Sequence, residues 1–598
     1  MPMIAFDTET VEGEPLTLQV ADADGVELVD VSREDILSVF LTALRRRGVS
    51  GGPNFAWAHQ LEFDLGVIFI EVSWIWKARK GHIEASLPDG ARVELAYHHL
   101  NNPFHHLIIG GQHWLILDTM SFIRRSLATT CERLRLPVQK LPRPSYLGTR
   151  SPTRTERPDF EAYAKNDALA TYALAEYLVA RHRELGIGPT VSIAQLASAV
   201  LRNRFLGQTL GRPLRTQVRT ISPAVVAQRK KMLHPRLRVA LGSGIPFCET
   251  EPGSNALLEA SCLAFHGGKN GLYVRPGVYE DVTEVDLVSA YPHAMTALPP
   301  LTRGRWKRTR EYIPGAAAIY KIRGAIRDRC PYGVFMNLDG TGFFRDGPFN
   351  TWVTGWEFAA ARDEIDLHAL DDGYVWHPAR DATNPLAEYV DFFFSKKRET
   401  PKSDPWYEMY KLLLNSLYGK LVQLIDDVDT SLGTPQRVAG GLFNPFWAGQ
   451  ITGHCRAQIH ALEHRYAALH TSTDSILTRA QGVPTGTELG DLEIKARGRL
   501  LIVRKRLYFI VDDQGDVPKK ALHGFMGRTA EALLALVLQG GGPYSATRMV
   551  RPREALRSGE KPFRMTQREY QLQVSDSVFK AVAEAWEAHQ ARRFIPFP

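Results

Sequence analysis

Four carboxylates in the first third of the chain are spaced as a cation site would need them. "FDTET" sets Asp7 and Glu9 two residues apart, on one face of a strand. "HQLEFD" brings Asp64 after an apolar-aromatic step, and "YAKND" puts Tyr163 and Asp167 at i and i+4, on one face of a helix. Carboxylates that converge repel one another and share a site only when cations neutralise them. Hard oxygen donors suit Mg²⁺, with Mn²⁺ as a substitute. Two such ions in one site are the usual apparatus for hydrolysing a phosphodiester, one activating water and the other holding the leaving oxygen. Tyr163 would orient the attacking water. Taken singly, each acid is an ordinary capping or surface residue; the ordered set carries the reading.

A second set lies farther on. "VTEVDLVSAYP" ends a β-branched strand in Asp286, followed by Ser289, Tyr291 and Pro292. "HTSTDSIL" places Asp474 in a tight polar turn, as at a hairpin tip. Between them "YKLLLNSLYGK" carries Lys411, Asn415 and Tyr418 at i, i+4 and i+7, on one helical face, with leucines around the rest. Asp404 and Pro405 offer that helix an N-cap and a first turn, and Gly419 stands near its end. Alone, the polar stripe reads as a solvated helix face. Beside two carboxylates that would hold two metals, it suits a nucleoside triphosphate. The metals would activate a 3′-hydroxyl and grip the phosphates, and lysine would neutralise charge on the leaving pyrophosphate. "FFFSKKRE" offers a second lysine, Lys397. Asn415 and Tyr418 would bear on the base pair, and Tyr291 would lie under the sugar and exclude a 2′-hydroxyl.

The elements that must position these residues are legible in outline. "MIAFDTETV" and "PLTLQVADADGVELVDV" read as strands and hairpins, "SREDILSVFLTALRRRG" as a helix and "HLIIGGQHWLILDTM" as strand. A proline-rich polar loop leads into the helix "FEAYAKNDALATYALAEYLVARHREL", which "GIGP" ends near residue 187. Residues 385–420 read as two antiparallel helices, and "IDDVDTSLGTPQRVAGGLFNPF" as a hairpin insertion. The class expected is α+β with several domains.

Composition sets the frame. The 598 residues suffice for several cores, and 44% hydrophobic with 23% charged residues is a globular balance. No apolar run of about 18 residues and no basic-then-apolar leader is present, so a membrane span or secretion is not expected. The five cysteines lack CxxC or Cys/His spacing, so a reducing compartment is the default. The net charge of +8 is local: from Ala496 onward 18 Lys and Arg face 10 Asp and Glu, which accounts for the whole surplus. Clustered cations of this kind suit a polyanion.

DxxSxYP, KxxxNSxYG and TDS, in that order after DxE, FD and YxxxD, resemble the family B DNA polymerases that carry a 3′→5′ proofreading exonuclease. The finer similarity is to the protein-primed branch of phages and linear replicons. The resemblance implies a ribonuclease H-like exonuclease over residues 1–187, followed by a right-hand polymerase. Its palm would take 188–300 and 447–530, its fingers 376–424 and its thumb 531–598. Segments 301–375 and 425–446 would be the two insertions that clamp a terminal protein and the DNA. "AFHGG", with Phe265, Gly267 and Gly268, is similar to the YxGG element coupling the two active sites along the template. Thr10, His59, Gln60 and Phe63 match positions that hold single-stranded primer ends, and Arg506 and Tyr508 stand where the family has KxY near the primer terminus. The implied partners are primer-template DNA, dNTPs and a terminal protein, for a monomer in the bacterial cytoplasm, encoded by a phage or mobile element. The priming mode stays open between a terminal protein, a nucleic-acid primer and none.

The pattern departs from the family in four places. Ser472 replaces the first aspartate of DTDS, Gln60 an asparagine and Arg506 the lysine of KxY. The lysine expected to assist the exonuclease has no clear match, and Lys140 is left unassigned. The second insertion is also short. Ser472 motivates one alternative, an exonuclease with an impaired polymerase site; a non-catalytic DNA-binding scaffold is another.

Overall fold

The computed structural model describes the chain except residues 1, 70, 73–74, 78–81, 87–91, 97–103, 207–254, 329, 334, 337–341, 428–435, 440–441, 515, 523–529, 551–564, 577–578, 581–582 and 585–598. Parts of the expected palm (188–300), second insertion (425–446) and thumb (531–598) therefore lie outside the described residues.

The N-terminal third is a nine-stranded sheet. Its strand order is Gly25–Asp30, Glu14–Asp22, Met3–Val11, Pro53–Ala58, Gln112–Asp118, Phe104–Ile109, Arg92–Ala96, His82–Ser86 and Ile75–Lys77. Met3–Val11 runs parallel to Pro53–Ala58, which runs parallel to Gln112–Asp118; the other pairs are antiparallel. Alternation sorts the first strand's side chains between two cores. Ile4 and Phe6 pack with Phe40, Leu44 and Trp114 under the helix Ile36–Arg47. Ala5 faces the other way, with Trp57, Leu117, Leu174 and Leu178, towards the 28-residue helix Arg157–Glu184. Asp7 and Glu9 share that second face by the same alternation. Trp57 is fully buried there, and truncating it to alanine would cost about 3–5 kcal/mol.

The second large sheet has seven strands, all neighbours antiparallel. Their order is Lys269–Leu272, His470–Thr473, Ser475–Thr478, Gly277–Leu287, Leu492–Arg504, Leu507–Val511 and Lys519–Leu522. The helices Ala290–Thr296 and Pro445–Tyr466 share one core with Val285, Leu287 and Ile476 of this sheet. That core also takes Tyr389, Phe393, Leu413 and Leu417 from the helices Pro385–Glu399 and Pro405–Ser416. The two helices are antiparallel: Tyr389 near the start of the first donates to the Leu413 carbonyl near the end of the second, at 3.0 Å. Asn384 caps the first and Asp404 the second, each ahead of a proline whose missing N–H costs nothing in a first turn.

Two smaller units branch from this frame. Gly304–Arg308, Ile365–Pro378, Ala318–Ile326 and Pro348–Thr354 form a four-stranded antiparallel sheet around Tyr320, Phe335, Phe349 and Phe358. Leu424–Asp427 pairs antiparallel with Gln436–Ala439. Beyond the seven-stranded sheet, the helix Ala530–Leu538 and the hairpin Gly541–Met549 with Met565–Gln573 pack on Leu501, Leu507 and Phe509. No helix among the described residues is long and apolar enough to cross a membrane.

Candidate functional site

The long helix brings Tyr163 and Asp167 over the sheet face that carries Asp7 and Glu9. Carboxylate oxygens of Asp7, Glu9 and Asp167 lie within 4.8 Å of one another. Asp64, in the helix Leu61–Ile68, is buried and accepts from the Thr8 amide at 3.0 Å and the Thr8 hydroxyl at 2.8 Å. Burial and mutual repulsion hold these acids towards their neutral forms. Asp7 is pushed well above the usual carboxylate range by burial and then by the Asp64, Glu9 and Asp167 charges. Glu9 is pushed up to about 7 by burial and Asp167, and Asp64 is also raised, chiefly by burial. Asp167 Oδ1 is buried with no hydrogen-bond partner. An anionic cluster with an orphaned acceptor fits hard divalent cations.

Two residues at this site escaped the sequence reading. Lys140, left unassigned there, ion-pairs with Asp167 and donates to the Tyr163 hydroxyl at 3.3 Å. It ends "LPVQK" just ahead of the proline-rich loop, where no periodicity marks it. Asp118 ends the strand Gln112–Asp118, buried and pushed up to about 6, mainly by burial. It accepts from the amides of Met120 at 2.9 Å and Gln60 at 3.3 Å. The next residue, Thr119, fixes His59 through a 2.8 Å contact from its hydroxyl to Nδ1. Gln60 takes a left-handed conformation at φ 67° where strand turns to helix. Phe63 is 40% exposed, unusual for a large apolar side chain, and Thr10 sits half-buried at a β-bulge after Glu9.

The second acidic pair comes together at the centre of the seven-stranded sheet. Asp286, near the end of Gly277–Leu287, lies opposite Ser475 and Glu493. Asp474 occupies the tip between His470–Thr473 and Ser475–Thr478, and its carbonyl accepts from the Leu287 amide at 2.9 Å. The tip needs Thr473 at φ 62°. Gly268 makes room for it: a Cβ there would fall 2.5 Å from Thr473 Cγ2 and 3.0 Å from the Tyr291 hydroxyl. Arg456, paired with Glu357 at 2.8 Å, donates to the Gly267 carbonyl at 2.7 Å and holds that segment, which Phe265 begins half-buried. Burial and then Asp474 push Asp286 up to about 7, against the pull of Lys495 at 3.4 Å. Asp474 is raised mainly by burial. Lys495 was not singled out in the sequence.

Lys495, which pairs with Asp286, also repels Lys397 on the neighbouring helix. Lys397 is half-buried, and its ammonium is lowered by burial and by the nearby Lys411 charge. Lys411 and Asn415 are exposed, and the Asn415 amide donates to the Lys411 carbonyl at 2.9 Å. The helix is shorter than its sequence suggests: it ends at Ser416, and Tyr418 opens a 3₁₀ turn, Tyr418–Val422. The tighter turn brings the Tyr418 ring onto Tyr291, stacked at 3.9 Å and 21°. Arg506 sits at φ 63° in the turn between Leu492–Arg504 and Leu507–Val511. Tyr508 is 1% exposed and edge-on to His470 at 5.0 Å.

Comparison with known proteins bears on this arrangement. Residues 263–440 match the family described as DNA polymerase type B, organellar and viral. The DNA-directed DNA polymerase of Enterobacteria phage PRD1 is 25% identical over 295 residues, 43% of this chain and 51% of that protein. A probable DNA polymerase of Neurospora intermedia is 27% identical over 174 residues, 26% of this chain and 17% of that protein. The matched stretches thus span about half, or less, of these relatives. Among solved structures, phi29 DNA polymerase complexed with primer-template DNA and incoming nucleotide superposes with a TM-score of 0.61 at 13% identity, covering 96% of this chain and 99% of that one. The same polymerase with single-stranded DNA gives 0.61, at 96% and 100% coverage. The fold is α+β and multidomain, and over nearly the whole chain it is like that of this solved polymerase. The resemblance to family B DNA polymerases of the protein-primed branch, expected from the motifs, is borne out.

Proposed function

We propose that this chain is a DNA-directed DNA polymerase with a separate 3′→5′ exonuclease site. The observation that carries the reading is a pair of acidic clusters on two sheets, only the second of which has a tyrosine stack, Tyr291 on Tyr418, beside it. In the polymerase site Asp286 and Asp474 would hold two Mg²⁺ ions, and in the exonuclease site Asp7, Glu9, Asp64 and Asp167 would hold two more. Bound Mg²⁺ would lower the pKa of the attacking oxygen and neutralise phosphate charge.

The chain's own groups do the rest. Lys411 and Lys397 neutralise the triphosphate and the departing pyrophosphate as the primer 3′-hydroxyl attacks the α-phosphorus. Tyr291, held by the Tyr418 stack, forms a floor under the sugar that leaves no room for a 2′-hydroxyl. Asn415 and Tyr418 meet the nascent base pair. At the other site Tyr163 orients water and Lys140 steadies both the tyrosine and Asp167. His59, Gln60, Phe63 and Thr10 receive the frayed 3′ end, with the Phe63 ring stacking on a base. Arg506, the 265–268 segment and the basic C-terminal region contact phosphates, so binding weakens with salt. The four-stranded unit and the short hairpin are the places to engage a terminal protein or displaced strand.

Ser472 does not favour the impaired-polymerase alternative. Its carbonyl accepts from the Asp474 amide at 2.8 Å and the Ser475 hydroxyl at 3.2 Å, so its contribution to the turn is made by backbone. The test is extension of a labelled primer on a longer template with Mg²⁺, with and without dNTPs. Lengthening with dNTPs and shortening without them is expected; shortening under both conditions would overturn the polymerase assignment.

A further inference from the structure

Away from both acidic sites, the four-stranded unit meets the helix Pro445–Tyr466 through a compact polar cluster. His460 and His464 stand one helical turn apart, ring centroids 4.7 Å from each other. Opposite them is Glu364, at the end of the turn Arg362–Glu364, and Cys330, beyond the strand Ala318–Ile326. The Glu364 carboxylate is the hub. Its Oε1 faces His460 Nε2 at 2.6 Å and His464 Nε2 at 3.3 Å, and its Oε2 faces Cys330 Sγ at 2.8 Å. One ligand atom each from Cys330, Glu364 and His464 lies within 4.8 Å of the other two.

We propose that Cys330, Glu364 and His464 form a binding site for a transition-metal ion of the zinc class, which ties the four-stranded unit to the Pro445–Tyr466 helix. A sulfur, an imidazole and a carboxylate favour Zn²⁺ or Co²⁺ over Mg²⁺, so the site is chemically distinct from the two all-carboxylate centres. A thiolate and a carboxylate balance the charge of a divalent ion, and the imidazole binds neutral. Coordination breaks the Cys330 S–H bond, forms the metal–sulfur bond and releases the proton to water. Cys330 is buried, whereas the His464 side chain is 43% exposed, giving the ion an entry path and water a coordination position.

The surroundings are built as a supporting layer. Lys269 places its ammonium 3.2 Å from His460 Nδ1, which leaves the imidazole proton on Nε2 for Glu364. Lys269 is itself fixed by an ion pair with Glu463 and by the Gly333 carbonyl at 3.0 Å. Glu463 accepts from the Tyr273 hydroxyl at 2.6 Å and the Thr471 hydroxyl at 2.7 Å. This chain of contacts runs from the proposed ligands to the strand that leads into Asp474. Two ligands come from the four-stranded unit and one from the helix, so neither side completes the site alone. The competing account is that these groups merely pair with one another.

Co²⁺ titration of the full chain in excess Mg²⁺ separates the two accounts, because a cobalt–thiolate bond gives a charge-transfer absorption that carboxylate sites cannot. The band should saturate at one ion per chain, survive Cys262→Ser, vanish in Cys330→Ser and His464→Gln, and bleach when Zn²⁺ is added. His460→Gln, which removes only the supporting layer, should weaken Co²⁺ about 10–100-fold. His464→Gln decides the matter should Cys330→Ser fail to fold, since that side chain is half-exposed. No band in the wild type, or a band that persists in either ligand variant, would overturn the assignment.

Discussion

The two acidic sites solve opposite electrostatic problems. The first crowds Asp7, Glu9, Asp64 and Asp167 together with Asp118 nearby, and Lys140 and Arg143 offset them. The second centres on Asp286 and Asp474 with Glu284 nearby; Lys495 and Lys519 offset them, and Lys397, beside Lys411, lies close to Lys495. A phosphodiester brings a single negative charge, so a hydrolytic site must supply its own anions to gather cations. A nucleoside triphosphate brings several, so the protein must supply the cations instead. On the proposed assignment, the greater number of lysines near the second site would follow from the charge of the triphosphate it receives.

The comparison can be broken at its cations. Lys411→Ala should slow primer extension about 10²–10³-fold and leave 3′ degradation unchanged, as single-turnover rates on one substrate would report. Lys140→Ala should do the reverse, lowering degradation about 100-fold through a misplaced Tyr163 and Asp167. Equal losses of both activities in either variant would mean that the sites are not separable.

The tyrosine stack sharpens the comparison further, because it exists at one site only. Tyr291→Val should cut discrimination between dNTPs and rNTPs by about 10–200-fold while extension with dNTPs persists. Competition between the two nucleotide types measures this. Unchanged discrimination would remove Tyr291 from the sugar floor.

Charge crowding also has a stability consequence. Glu9, held near 7 in the folded chain, contributes stability that is present below its unfolded value of 4.5 and is lost as pH rises through 7. In chelator, Glu9→Gln should therefore stabilise the protein at pH 8, by on the order of 3 kcal/mol, and not at pH 4. Mg²⁺ should erase the gain. Melting curves at the two pH values check the sign. The smallest effect belongs to Ser472→Asp: with the turn held by backbone, extension should change less than about threefold.

What was legible in the sequence was what periodicity encodes. Asp7 and Glu9 share a strand face, Tyr163 and Asp167 a helix face, and both elements form where their patterns place them. Lys140 and Asp118 were not legible, because each enters its site from the end of an element or a loop, where no repeat fixes direction. The end of the Lys411 helix was misjudged for a local reason. Tyr418 fits the helical spacing, but stacking on Tyr291 favours a tighter final turn. Tyr508 marks another limit: a motif locates a residue without saying whether its ring meets DNA or, as here, lies buried against His470.

The central claim is that one chain carries two independent phosphoryl-transfer sites. The most direct measurement places Asp474→Ala and Asp7→Ala beside the wild type on one labelled primer-template with Mg²⁺ and dNTPs. The account predicts that Asp474→Ala only shortens the primer and that Asp7→Ala only lengthens it. Loss of both activities in either variant, or extension that survives Asp474→Ala, would contradict it.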